Sequence, residues 1–268
     1  MISAFNKISV LAVISFAAFS TTFSQMRSTT APPASARIFI GESLKYEGKL
    51  DKLIDVTIAE LTFDATAPAD GEIVIKSKAV SKGTLLKLFR FSFLQDYESR
   101  LDLEWFRINK TTKHDVQKER VRDSEAVFHY DDRIVTFVET DPKDAMRPPR
   151  RIASEIGTQM YDMISAIYAV RLMPLAIGTR VELSVSDSGL VFKVPFIVAA
   201  REKQSTVLGK ISTLRIEPEI FGPGRLIEQK GGMTIWMTED DRHIPVRAQV
   251  QTDFGKVNIK LKDYKKSA

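Results

Sequence analysis

The 268-residue chain is 44% hydrophobic and 27% charged, has no cysteine, and carries 39 Lys+Arg against 34 Asp+Glu for a net charge of +5. This balance excludes collagen-like, disulfide-stapled and wholly disordered chains. Without cysteine there is no thiolate nucleophile, CxxC redox pair, zinc ribbon or lipobox acylation site.

Lys7 is the only charged side chain before Arg27, and residues 8–19 form an apolar run. Small residues follow, with Thr22 and Ser24 suited to positions −3 and −1 of a signal peptidase site. That order of regions predicts a secretory signal over residues 1–24. The run is shorter than the roughly 20 apolar residues that span a bilayer, so the chain is not expected to be membrane-spanning after cleavage. Residues 25–37, rich in Ser, Thr, Ala and Pro, read as a flexible tether. A single β-rich domain is expected over 38–264, with a basic tail at 265–268.

Alternation of apolar and polar residues predicts strands over 43–50, 54–63 and 72–80, the last two separated by a Pro-Asp-Gly turn cluster at 67–71. Residues 83–93 fit either a helix or a strand. Residues 97–105 alternate again, and the highly charged 112–122 reads as one long exposed strand. Residues 126–130 and 133–139 suit a hairpin across Asp131 and Asp132. Three prolines and four basic residues mark 141–151 as a surface loop.

One helix is expected. Ile156, Met160, Met163, Ile164 and Ile167 make an apolar stripe, with Ser154 as its cap and Pro174 beyond its end. Strands then resume over 179–185, 190–202, 210–217 and 234–238, and the cleanest alternation comes last, over 246–251 and 257–262. The predicted fold is mainly β: a curved antiparallel sheet, or a partly closed barrel or sandwich, with one principal α-helix.

Chemistry-bearing residues are sparse. His114, His129 and His243 are far apart in sequence and lack metal-ligand spacing. The densest cluster is Glu239, Asp240, Asp241 and His243, which could bind a hard cation or do acid/base work but also suits a polar hairpin turn. No metal site and no cofactor are expected. Asp162 and Ser165 stand one helical turn apart and can hydrogen-bond locally, while Arg171 could clamp a carboxylate or phosphate at a cavity mouth or simply close the helix.

Three stretches resemble the exported bacterial family called domain of unknown function 3108. The first is Gly41-Glu42-Ser43-Leu44-Lys45-Tyr46. The second runs from Asp162 through Arg171 to Pro174, Leu175 and Gly178. The third runs from Ile235 through Asp240, His243 and Pro245 to Arg247, followed by Gly255 and Leu261. After its first strand the chain departs from the pattern, with Val56-Thr57-Ile58-Ala59 where members carry a small Ala-Gly pair. The resemblance implies an exported, β-rich envelope domain, periplasmic or extracellular in a bacterium, and supplies no established catalytic residue.

The leading reading is a non-enzymatic binding or carrier module for an apolar ligand, such as a lipid, or for an envelope protein partner. Its candidate wall residues are Tyr46, Trp105, Met160, Met163, Ile167, Arg171 and Trp236, all of which also suit plain core. The alternatives are an envelope hydrolase using the 239–243 cluster and an adaptor docking an acidic partner through Arg147, Arg150 and Arg151. Interspersed charges of both signs argue against a nucleic-acid partner.

Overall fold

The computed structural model describes residues 33–51, 57–69, 71–82, 92–252 and 255–266. The signal, most of the tether, the start of the 54–63 strand and nearly all of the ambiguous 83–93 segment lie outside the described residues. A 3-10 helix, Pro33–Phe39, opens the description. Ala36 and Phe39 are fully buried, so the folded part reaches back into the segment expected to be tether.

Fourteen strands follow: β1 (Ser43–Leu50), β2 (Thr57–Thr66), β3 (Glu72–Ser81), β4 (Phe93–Asp102), β5 (Arg107–Gln117), β6 (Arg120–His129), β7 (Ile134–Thr140) and β8 (Arg150–Glu155), then β9 (Arg180–Asp187), β10 (Leu190–Thr206), β11 (Gly209–Pro218), β12 (Gly232–Thr238), β13 (Pro245–Thr252) and β14 (Gly255–Lys265). Helix α1 (Met163–Arg171) lies between β8 and β9. All fourteen strands form one antiparallel sheet. Its order runs from β8 down to β1, then β14 down to β9. The sheet is two meanders joined along β1 and β14, and its edges are β8 and β9.

The sheet curls around one interior. Ile73 and Ile75 of β3, Leu101 of β4 and Phe128 of β6 share a buried cluster with Val181 of β9, Phe196 of β10 and Met237 of β12. Tyr168 and Ala169 of α1 belong to the same cluster and fill the concavity. The turn between β9 and β10 closes against the opposite half. Ser188 and Gly189 both take positive φ, the geometry of a tight I′ hairpin that follows strand twist. A Cβ at Gly189 would stand 2.5 Å from the Phe137 Cβ, so only glycine allows this approach. Among the described residues no helix is long and apolar enough to cross a membrane.

The helix starts later than its apolar spacing suggests. Residues 150–155 form strand β8, and Ile156 and Met160 are buried in the connection that follows. Asp162, not Ser154, is the N-cap: its carboxylate accepts the Ile164 and Ser165 N–H groups, while the Ser165 hydroxyl accepts the Asp162 N–H. This capping box satisfies N–H groups that the first helical turn leaves unpaired. The charged stretch 112–122 is two strands rather than one. Lys118 takes φ 56° and turns the chain between β5 and β6, and Asp115 and Arg122 are buried.

Candidate functional site

The most deeply buried ion pair among the described residues joins Glu42 and Arg171. Glu42 lies just before β1, and Arg171 ends α1. The guanidinium donates Nη1 to Glu42 Oε1 at 2.5 Å and Nη2 to Oε2 at 2.6 Å, a two-pronged pair with both side chains at most 3% exposed. The same guanidinium packs against Phe39 and Tyr168, with ring centroids 4.5 and 4.9 Å away, and the two rings meet edge to face with centroids 5.0 Å apart. Arg171 Nε donates to the Arg242 carbonyl, and the ring of His243 contacts the Arg171 carbonyl through Nδ1. Burial by itself pulls the Arg171 pKa down; the Glu42 hydrogen bonds and charge outweigh that and hold it above its ordinary value. Arg171 therefore clamps a carboxylate, but an internal one.

Tyr46 extends this hub, its hydroxyl donating to the Pro245 carbonyl at 2.8 Å. Glu42 and Tyr46 belong to the first sequence motif, Arg171 to the second, and Arg242, His243 and Pro245 to the third. All three meet here. Asp162 organises a second buried polar group. One carboxylate oxygen caps α1, and the other accepts the hydroxyls of Ser99 on β4 and Thr111 on β5 at 2.6 and 2.7 Å.

The other candidate wall residues do not share one surface. Met160 is fully buried, and its carbonyl accepts the Ile108 N–H. Trp236 is buried in a second cluster with Leu44 and Ile244, donates Nε1 to Glu202, and lies under Arg247. Ile167 is half-buried against the core. Trp105, on the turn between β4 and β5, is 51% exposed, and Met163 is 38% exposed.

The 239–243 cluster occupies the turn between β12 and β13, and its members disperse. Glu239 pairs with Arg201, Asp240 with Thr238 and Arg242, and His243 with the Arg171 carbonyl. Hydrogen bonds from Ser212 and Arg201 hold the Glu239 carboxyl below its usual range. Burial raises the Asp240 carboxyl, but Thr238 and Arg242 outweigh it and hold it low. Carboxylates held ionised in this way make poor general acids near neutral pH. Among the described residues no three metal-ligating side chains converge.

An open groove of about 880 Å³ runs across β2 to β7 and escaped the sequence analysis. Strand register builds its walls. Asp64, Lys76 and Glu98 lie in one cross-strand row; Lys78, Asp96, His114 and Asp123 lie in the next. Lys76 stands 3.3 Å from Glu98, Lys78 stands 3.4 Å from Asp96, and His114 contacts Asp123. Exposed pairs of this kind contribute roughly 0–1 kcal/mol, so a ligand can exchange them at small cost.

All six tyrosines titrate above their ordinary value, each chiefly because of burial. A raised phenol keeps its proton to higher pH folded than unfolded. Its stabilisation is therefore complete below the unfolded value of about 10 and is lost as pH rises above it. Alkaline titration followed at 295 nm is expected to show phenolate absorbance rising together with loss of near-ultraviolet circular dichroism, rather than near pH 10 in the intact fold.

The family model described as protein of unknown function DUF3108 matches residues 45–262. The chain belongs to this family. No curated protein matches it. Its fold is similar to the crystal structure of a β-barrel-like protein of domain of unknown function DUF1849 from Brucella abortus, with TM-score 0.57 and 10% identity, covering 85% of this chain and 98% of that one. Two looser likenesses each cover 85% of this chain and 96% of the other. One is to a protein of Bacteroides fragilis described provisionally as exported, with TM-score 0.29 and 9% identity. The other is to a protein of Parabacteroides distasonis described provisionally as a lipoprotein, with TM-score 0.31 and 8% identity. This family member thus has an incompletely closed, barrel-like sheet whose three motif stretches converge on Glu42 and Arg171.

Proposed function

We infer that the protein is a non-enzymatic, exported module of the bacterial envelope that holds a polar, charged envelope component in the groove across β2 to β7. The observation that carries this reading is the groove itself: about 880 Å³ of open space along registered rows in which acidic and basic side chains are mixed. By contrast, α1 and the side chains of both sheet halves occupy the interior, where an apolar cargo would otherwise sit. The apolar run at residues 8–19 supports export.

Native mass spectrometry of protein purified from its own envelope tests the reading. The expected result is an added mass that disappears on denaturation and is lost from the Lys76→Glu/Lys78→Glu variant, which reverses two groove charges at exposed positions. Absence of any added mass from the wild-type protein would overturn it. So would a lipid retained equally by the variant, which would place the cargo elsewhere.

A further inference from the structure

The two edges of the open sheet are treated differently. At β9, the chain covers its own edge: the Tyr161 N–H donates to the Ser184 carbonyl, and the Ser186 N–H donates to the Tyr161 carbonyl. At β8, among the described residues, the only strand partner is β7. The Ile156 N–H donates to the Arg133 carbonyl, which fixes the hydrogen-bond phase of the β7–β8 ladder. In an antiparallel ladder, bonded and unbonded pairs alternate. Ser154 and Ile152 therefore bond to β7, while the backbone groups of Arg151, Ala153 and Glu155 point away from the sheet. All three residues are exposed.

We propose that β8 is a homodimerisation edge, on which a second copy of this chain adds its own β8 antiparallel about a two-fold axis at Ala153. That register sets Arg151 opposite Glu155 of the partner subunit, and the two-fold axis repeats the pair. Opposite charges facing each other across strands are favourable, and like charges are not. A small side chain at the axis lets the strands approach closely. The pairing ends naturally, because Pro149 has no N–H to donate and Gly157 falls opposite it. Such an interface is self-complementary, as a two-fold contact requires. Residues 1–32 are a poorer occupant of the edge, since they contain no acidic residue to meet Arg150 and Arg151.

Sedimentation velocity of the purified protein over a range of concentrations tests this. The expected result is a reversible dimer. Arg151→Glu or Glu155→Arg alone should each weaken it by about tenfold or more, because each change sets two like pairs face to face. The Arg151→Glu/Glu155→Arg variant exchanges the charges and should restore dimerisation. Ala153→Pro should abolish it while leaving the melting temperature nearly unchanged, because the N–H it removes does not bond to β7. A monomer at every concentration would overturn the proposal and make Arg151 and Glu155 guards against edge pairing. A dimer indifferent to Ala153→Pro, or one the charge exchange fails to restore, would also overturn it, and a complex formed only with an acidic peptide would assign the edge to a different protein.

Discussion

Arg171→Met is expected to lower the stability of the fold by about 3–5 kcal/mol, the usual loss when one partner of a buried ion pair is removed. The change leaves the Glu42 carboxylate buried, without the guanidinium that accounts for both of its side-chain hydrogen bonds described above. It also removes the cation from beside the Phe39 and Tyr168 rings. Glu42→Leu should cost a comparable amount, because it strands the guanidinium. The double variant Glu42→Leu/Arg171→Met should lose much less than the sum, since replacing both charges by apolar groups avoids an unpaired ion. Urea midpoints of the four proteins, compared at unchanged slope, read the coupling directly. Additive losses would mean that Glu42 and Arg171 act through separate contacts and that the pair is not the hub.

Asp162→Ala is the second large effect. It removes the N-cap of α1, costing about 1 kcal/mol. It also strands the buried hydroxyls of Ser99 and Thr111, costing roughly 1–3 kcal/mol each. Asp162→Asn should be milder, because its amide oxygen can keep the cap while the two hydroxyls turn to accept from the amide nitrogen. Thermal unfolding followed at 222 nm should rank the proteins wild type, Asn, then Ala. Equal losses for the two substitutions would show that charge, rather than hydrogen-bond geometry, is what β4, β5 and α1 require of this position.

Much of the sheet is legible from alternation, because a strand with one face buried repeats every two residues. β13, β14 and the hairpin of β9 and β10 show this in their sequences, and their pairing agrees. The start of the helix was obscured by coincidence: Ile156 and Met160 are apolar because they are core, and their spacing happens to match a helical face. The Asp162–Ser165 pair carried the true signal, since a capping residue followed three positions later by a reciprocal partner marks a first turn. The division of 112–122 was hidden because Lys118 is not a residue type that announces a positive φ. The Glu42–Arg171 pair was legible only as two separate motifs. The partners stand 129 residues apart, and no periodicity links them. The groove is harder still, since its rows exist only after six strands have taken their register.

The join between β1 and β14 has a kinetic consequence. The two meanders can each form from neighbouring hairpins, but the sheet becomes one body only when the first strand meets the last, as in the pairing of Ser43 with Lys265. A chain made from its N-terminus holds one side of β1 unpaired until β14 arrives. Pairings of such sequence separation are slow, because the loop must be closed before the contact rewards it. The nascent protein therefore presents a free sticky strand until β14 is made, and a truncation that removes only 255–265 should leave a chain prone to aggregate rather than a slightly smaller domain.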